Sequence, residues 1–242
     1  MTDVLVRARG LTKAFGQVAA IADATFTVIE GDQIALVGPS GSGKSSLLHI
    51  IAGIDQPTDG IIEWPALGPA DTLRPAQVAV AFQAPSLLPP LTVAENIALP
   101  VRLAGGGDKA AAAATGPLIE RLGLSDIAAK LPEEISGGQA QRAGIARALV
   151  TAPRLILADE PTGQLDSATA ADLMDFLFEH VDLTYAALIV ATHDVGLAGR
   201  LPLRWQMLDH RLQTEAFTGV PAVTRTGAET AAQAGAEPTC SS

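Results

Sequence analysis

The chain has 242 residues, 48% of them hydrophobic, and a formal net charge of −10. That is enough apolar material for one large domain with its own core, and the acidic balance argues against a nucleic-acid partner, which needs a basic face. The only cysteine, Cys240, forbids an internal disulfide framework and points to a reducing, cytoplasmic setting.

The opening residues lack the basic start and apolar run of a signal peptide, and no uncharged apolar run approaches the ~18 residues of a membrane span. Residues 4–9 and 24–29 alternate as strands do, and Thr25 to Ile29 are β-branched or aromatic. Glu30-Gly31-Asp32 then turns the chain into a short buried strand, Ile34-Ala35-Leu36-Val37.

Gly38-Pro39-Ser40-Gly41-Ser42-Gly43-Lys44-Ser45 follows, with the spacing Gly-x4-Gly-Lys-Ser of a phosphate-binding P-loop. Ser46-Leu47-Leu48-His49-Ile50-Ile51-Ala52 opens an apolar-faced helix. A chance Gly/Ser turn would not need a strand before it and a helix after it. The glycines let backbone N–H groups curl around an anion, and the helix start adds partial positive charge. Lys44 can reach β- and γ-phosphates, and the Ser45 hydroxyl can ligate Mg²⁺.

Gln56 to Gly60 is a turn, and Ile61–Trp64 and Val78–Phe82 are short strands. From Gln83 to about Arg147 the pattern becomes helical. A helix starts near Thr92, a break falls at Gly105-Gly106-Gly107, and an alanine-rich helix covers about Lys109 to Leu122. Ser136-Gly137-Gly138-Gln139 precedes a helix carrying Arg142 and Arg147. Ser136 suits the N-cap, and the glycines leave a second helix start open to an anion.

Leu155-Ile156-Leu157-Ala158 is a buried strand ending in Asp159-Glu160. In parallel sheets ligands bind beyond the carboxyl ends of strands, so this pair can share an edge with the P-loop. Asp159 is placed to hold Mg²⁺, and Glu160 is the candidate base for an attacking water. Helix capping ahead of Pro161 is the plainer alternative. Ala168 to Val181 is helical, with Leu173, Phe176, Leu177 and His180 on one face, and Leu188–Ala191 is a further buried strand. Leu203–Leu208 and Leu212–Phe217 flank a hairpin turn at Asp209-His210. From Gly219 on, almost nothing can be buried, which predicts a disordered tail over 219–242. The predicted fold is an α/β P-loop NTPase with a largely parallel core sheet, an antiparallel β side layer and a helical subdomain over about 84–147, all within a domain of residues 1–218.

The order P-loop, Gln83, Ile135-Ser136-Gly137-Gly138-Gln139, Leu155 to Glu160, Leu165-Asp166, His193 resembles the nucleotide-binding domain of ABC transporters over about residues 4–217. The resemblance implies a MgATP-hydrolysing head-to-tail homodimer. It implies that Gln83 lies near Mg²⁺ and the attacking water, and that His193 touches the γ-phosphate. Ser136, Gly137, Gly138 and Gln139 would meet ATP held by the partner, and Asp166 would cross the dimer interface. Phe15 would stack on adenine, although it also fits plain core. Gly38 to Ser46 would cradle the phosphates.

Ile135 and Gly163-Gln164 depart from the commonest forms of these motifs. Asp159 to Asp166, with Ser86 to Asn96, resembles the lipoprotein-release and macrolide-export branch. The resemblance implies a separate membrane permease as partner and a place on the inner face of the cell membrane. The apolar, proline-stiffened stretch Ala84 to Leu91, directly after Gln83, suits the partner contact, unless its leucines are core. A soluble ABC ATPase acting on ribosomes or nucleic acid, and a nucleotide-dependent regulator without turnover, are the other readings. One P-loop, no heptad run and the acidic charge count against the first. The presence of Glu160 and His193 counts against the second.

Overall fold

A computed structural model describes residues 2–163 and 165–216. The tail expected from residue 219 lies outside the described residues, as does Gln164. The chain begins with β1 (Val4–Phe15) and β2 (Val18–Ile29), paired antiparallel. These strands run longer than their alternation predicts. Register shifts within the pair, one of them between Ala8 and Leu11 around the left-handed Gly10, break the period-2 pattern without ending the ladder. Then come β3 (Gln33–Val37), α1 (Lys44–Ile51) and β4 (Asp59–Glu63), the last antiparallel to β1. Strands β2-β1-β4 form the three-stranded side layer.

After β5 (Val78–Ala81) come α2 (Val93–Leu103), α3 (Asp108–Arg121) and α4 (Gly137–Leu149). The chain returns to the sheet as β6 (Leu155–Asp159), α5 (Ser167–Thr184), β7 (Ala187–Ala191), α6 (Val195–Ala198), β8 (Leu203–Leu208) and β9 (Arg211–Ala216). The second sheet runs β5-β6-β7-β3-β8-β9. All its pairings are parallel except β8 with β9, which turn through Asp209 and His210. Both turn residues have positive φ, 46° and 64°, as a two-residue hairpin requires.

The central strands are apolar throughout because both faces of the sheet are covered. Ile34, Leu36, Leu155, Leu157 and Ile189 face a core shared with β1, β2 and α1. Ala35, Val37, Ile156, Ala158, Leu188 and Val190 face a second core shared with α2, α4 and α5. Each strand therefore supplies alternate residues to two cores, and burying both faces fixes its register. This rigid sheet brings the ends of its parallel strands to one edge.

Candidate functional site

Five parallel strands end at that edge, and four of them are followed by residues with chemistry. β3 runs into the P-loop, β5 is followed by Gln83, β6 ends in Asp159-Glu160, and β7 is followed by Thr192-His193. Because β7 lies between β3 and β6, His193 emerges between the P-loop and the carboxylates. The Glu160 amide donates to Ala191 O at 2.9 Å, and the Thr192 amide to Leu36 O at 3.1 Å, so the ladder continues to the edge of the site.

A cleft of about 620 Å³ opens there. Ser40, Gly41, Gly43, Lys44, Ser45 and Ser46 form its floor, and Gln83, Asp159, Glu160 and His193 line it beside them. Phe15 closes one end and is 55% exposed, so it is not core. Gly43 is the residue before α1 and sits at φ 102°, where a Cβ would lie 2.0 Å from Ala20 O. Only glycine fits the approach of the loop to β2 at that point. Gly38, Pro39 and Ser42 belong to the loop but are not among the cleft's lining residues.

Lys44 is buried, and its Nζ donates to Gly38 O at 2.8 Å and Pro39 O at 3.0 Å. The ammonium is thereby held over the loop by two neutral carbonyls, which a phosphate oxygen can displace because charged acceptors bind more strongly. The open helix start, the bound ammonium and the flat Phe15 face fit the phosphate, charge and base of a nucleotide.

Asp159 is buried at the end of β6, and Glu160 takes a left-handed backbone with φ 48°. Such a backbone is uncommon outside glycine and is found at sites where geometry outweighs local preference. His193 Nδ1 lies 2.9 Å from both carboxylate oxygens of Glu160. The carboxylate beside it raises the pKa of His193 above the usual imidazole value. Among the described residues no group of three or more His, Cys, Asp or Glu could hold a metal. A P-loop Mg²⁺ needs no such cage, since hydroxyl, phosphate and water supply most of its ligands.

The remaining predicted residues stand outside the cleft: Ser136, Gly137, Gly138, Gln139 and Asp166 are not among its lining residues. Ser136 caps α4, accepting from the Gln139 amide at 3.2 Å, while Gln139 Oε1 accepts from the Ser136 amide at 2.9 Å. Gln139 therefore closes a capping box rather than reaching outward. Asp166 caps α5 through the amides of Ala168 and Thr169, and those bonds hold its pKa low.

Three residues that fix this arrangement carried no recognised role in the sequence. Asn96, fully buried, accepts from the Leu88 amide at 2.7 Å and donates to the carbonyls of Leu88, Leu91 and Thr92. Arg147 donates to Pro85 O at 2.8 Å and Ser86 O at 2.9 Å. Gln141, 2% exposed, donates to Pro161 O at 3.0 Å. An Asn eight residues after Leu88 and four after Thr92 was readable as a loop clamp. Nothing local marked the other two.

A strand–loop–helix phosphate cradle, with a carboxylate pair at the end of a parallel strand two places away in the same sheet, defines a P-loop nucleotide-binding protein. Residues 21–163 match the family model described as ABC transporter. The chain is 38% identical over 212 residues to the lipoprotein-releasing system ATP-binding protein LolD of Legionella pneumophila (strain Paris), covering 83% of this chain and 93% of that protein. It is 37% identical over 224 residues to LolD of Shewanella oneidensis, covering 88% and 97%. Among solved structures it resembles the dimeric structure of MJ0796, a bacterial ABC transporter cassette. The TM-score is 0.82 and the identity 30%, over 89% of this chain and all of that one. A post-hydrolysis dimer of the same cassette, bound to ADP and Pi, aligns with a TM-score of 0.81. The chain belongs to the ABC transporter family and is its ATP-binding, ATP-hydrolysing cassette.

Proposed function

We propose that this cassette drives a separate membrane permease of the lipoprotein-release type, working as a head-to-tail dimer on the cytoplasmic face of the membrane. The observation that carries the reading is the division of the predicted site. Cradle, carboxylates, Gln83 and His193 share one cleft, whereas the capped start of α4 and Asp166 stand outside it. Two copies about a two-fold axis bring each Ser136 helix start to the other's P-loop. The names of the relatives supply the lipoprotein-release assignment.

In this reading the loop amides, Lys44 and Ser46 hold the phosphates, and Phe15 holds the base. Ser45, Asp159 and Gln83 are the candidate holders of Mg²⁺, which when bound neutralises phosphate charge. Glu160 is the base for water, and His193, 2.9 Å from both its carboxylate oxygens, orients it. The helical subdomain is residues 84–147, within a domain of residues 1–218, and it carries the permease contact. Supporting this, Val78, Phe82, Leu88, Leu99, Pro100 and Arg147 line an apolar groove of about 260 Å³ that reaches Phe82, the residue before Gln83. Among the described residues no helix is long and apolar enough to cross a membrane.

The test is the Glu160→Gln protein with MgATP. It forms a stable dimer by size-exclusion chromatography and pulls down a multi-span membrane protein from detergent extract. A protein that binds MgATP yet stays monomeric counts against the dimer, and one that recovers no membrane protein counts against the permease.

A further inference from the structure

The start of α4 and the segment after Glu160 are fastened together within one chain. Gln141 is on α4 two residues beyond the capping box and is almost wholly buried. Its Nε2 donates to the carbonyl of Pro161, the residue that follows Glu160. One turn earlier, Gly138 packs so closely on Leu165 that a Cβ there would lie 3.1 Å from Leu165 Cδ2. A side chain at 138 would require Leu165 to give by a few tenths of an ångström. A polar bond and an apolar contact thus clamp α4 to both ends of the stretch from Pro161 to Leu165.

We infer that Gln141 is a positioning residue that makes the Glu160 segment and the Ser136 helix start one mechanical unit. The inference rests on the head-to-tail dimer proposed above. In that dimer the two fastened pieces serve different nucleotides. Glu160 acts on the chain's own ATP, and Ser136 on the partner's. Gln141 therefore ties the two sites of the dimer through each chain, and a displacement of one piece moves the other. A buried amide suits this purpose, because its donor has no water to replace the Pro161 carbonyl. Losing the bond frees α4 to shift against the catalytic segment, and misplacement on the scale of an ångström costs turnover heavily.

The experiment compares Gln141→Met, near in volume but without the donor, with the unaltered protein. We expect kcat to fall about tenfold or more, while the Kd of monomer for MgATP and the KM for ATP change less than about twofold. On the Glu160→Gln background the Gln141→Met protein still dimerises with ATP, because the cradle and cap are untouched. Melting temperature is read alongside. If Gln141→Met is unfolded at the assay temperature, Leu165→Ala, which loosens the apolar half of the clamp, carries the same kcat-against-KM comparison. An unchanged kcat in a folded variant, or a KM that rises in step with the loss of kcat, overturns the inference. Failure of Glu160→Gln alone to dimerise overturns the underlying dimer instead, so the two failures are told apart.

Discussion

His193 Nδ1 sits 2.9 Å from both carboxylate oxygens of Glu160, joining the second residue after β7 to the first residue after β6. The Glu160 carboxylate favours the protonated imidazole, so the pKa of His193 lies above its ordinary value of 6.5. The sign follows from linkage. The pair's contribution is fully present below the unfolded pKa and is lost as pH rises through the raised folded value. His180 behaves oppositely, because burial against Phe176 pushes its pKa down. A pH titration followed by NMR should place one imidazole above the free value and another below it. Glu160→Gln should return only the raised one toward 6.5. If His193 titrates unchanged in Glu160→Gln, the pair does not form in solution.

Glu160→Gln should retain MgATP binding and lose hydrolysis by about 10²–10⁴-fold, the usual weight of a positioned base. The isostere preserves the left-handed backbone at residue 160 and its amide bond to Ala191 O. Calorimetry for binding and phosphate release for turnover separate the two effects. Turnover near the unaltered rate removes Glu160 from the role of base.

Lys44→Ala should act on binding instead. Its ammonium is fixed over the loop, held by Gly38 O and Pro39 O. Removing it should weaken nucleotide affinity at least tenfold by calorimetry, with the melting temperature of the nucleotide-free protein little changed. Equal affinities would mean that the loop amides alone hold the phosphates.

Leu88→Asp should abolish permease co-purification and spare basal ATPase activity. Leu88 is 43% exposed and lines the apolar groove that reaches Phe82, so the carboxylate meets solvent in the free protein. Leu87 belongs to a different test. It is partly buried against the core, and an aspartate there is expected to cost folding rather than docking. Retained co-purification of Leu88→Asp would place the permease contact elsewhere.

Asn96→Ala should destabilise the chain by about 2–4 kcal/mol in denaturant titration. It would leave the Leu88 amide and the Leu91 carbonyl without this partner, while the carbonyls of Leu88 and Thr92 keep the backbone amides of Leu91 and Asn96. A loss below about 0.5 kcal/mol would mean that water replaces the amide there.

The P-loop and the Asp159-Glu160 pair were legible because each is a short run following an apolar strand. Their relation followed from one rule, that parallel strands end at one edge. The hairpin turn at Asp209-His210 was legible for a similar reason, since two residues that accept positive φ separate two strands. What escaped were contacts whose partners are backbone carbonyls far along the chain. Gln141 and Arg147 are polar side chains on an otherwise amphipathic helix, and such residues ordinarily face water. Their partners, Pro161 and Pro85–Ser86, lie 20 and about 60 residues away, and a carbonyl leaves no trace in residue type. The length of β1 escaped for another reason. Its register shifts near Gly10 interrupt alternation, and a period-based reading stops where the period does.

The most direct test of the head-to-tail dimer is specific ATPase activity against protein concentration, with sedimentation on the same samples. Activity per chain should rise as dimer forms and approach zero where only monomer sediments. Ser136→Arg should remove the rise while leaving MgATP binding to the monomer intact. Specific activity that stays flat through concentrations where only monomer is present would contradict the account, because one chain would then hold the whole site.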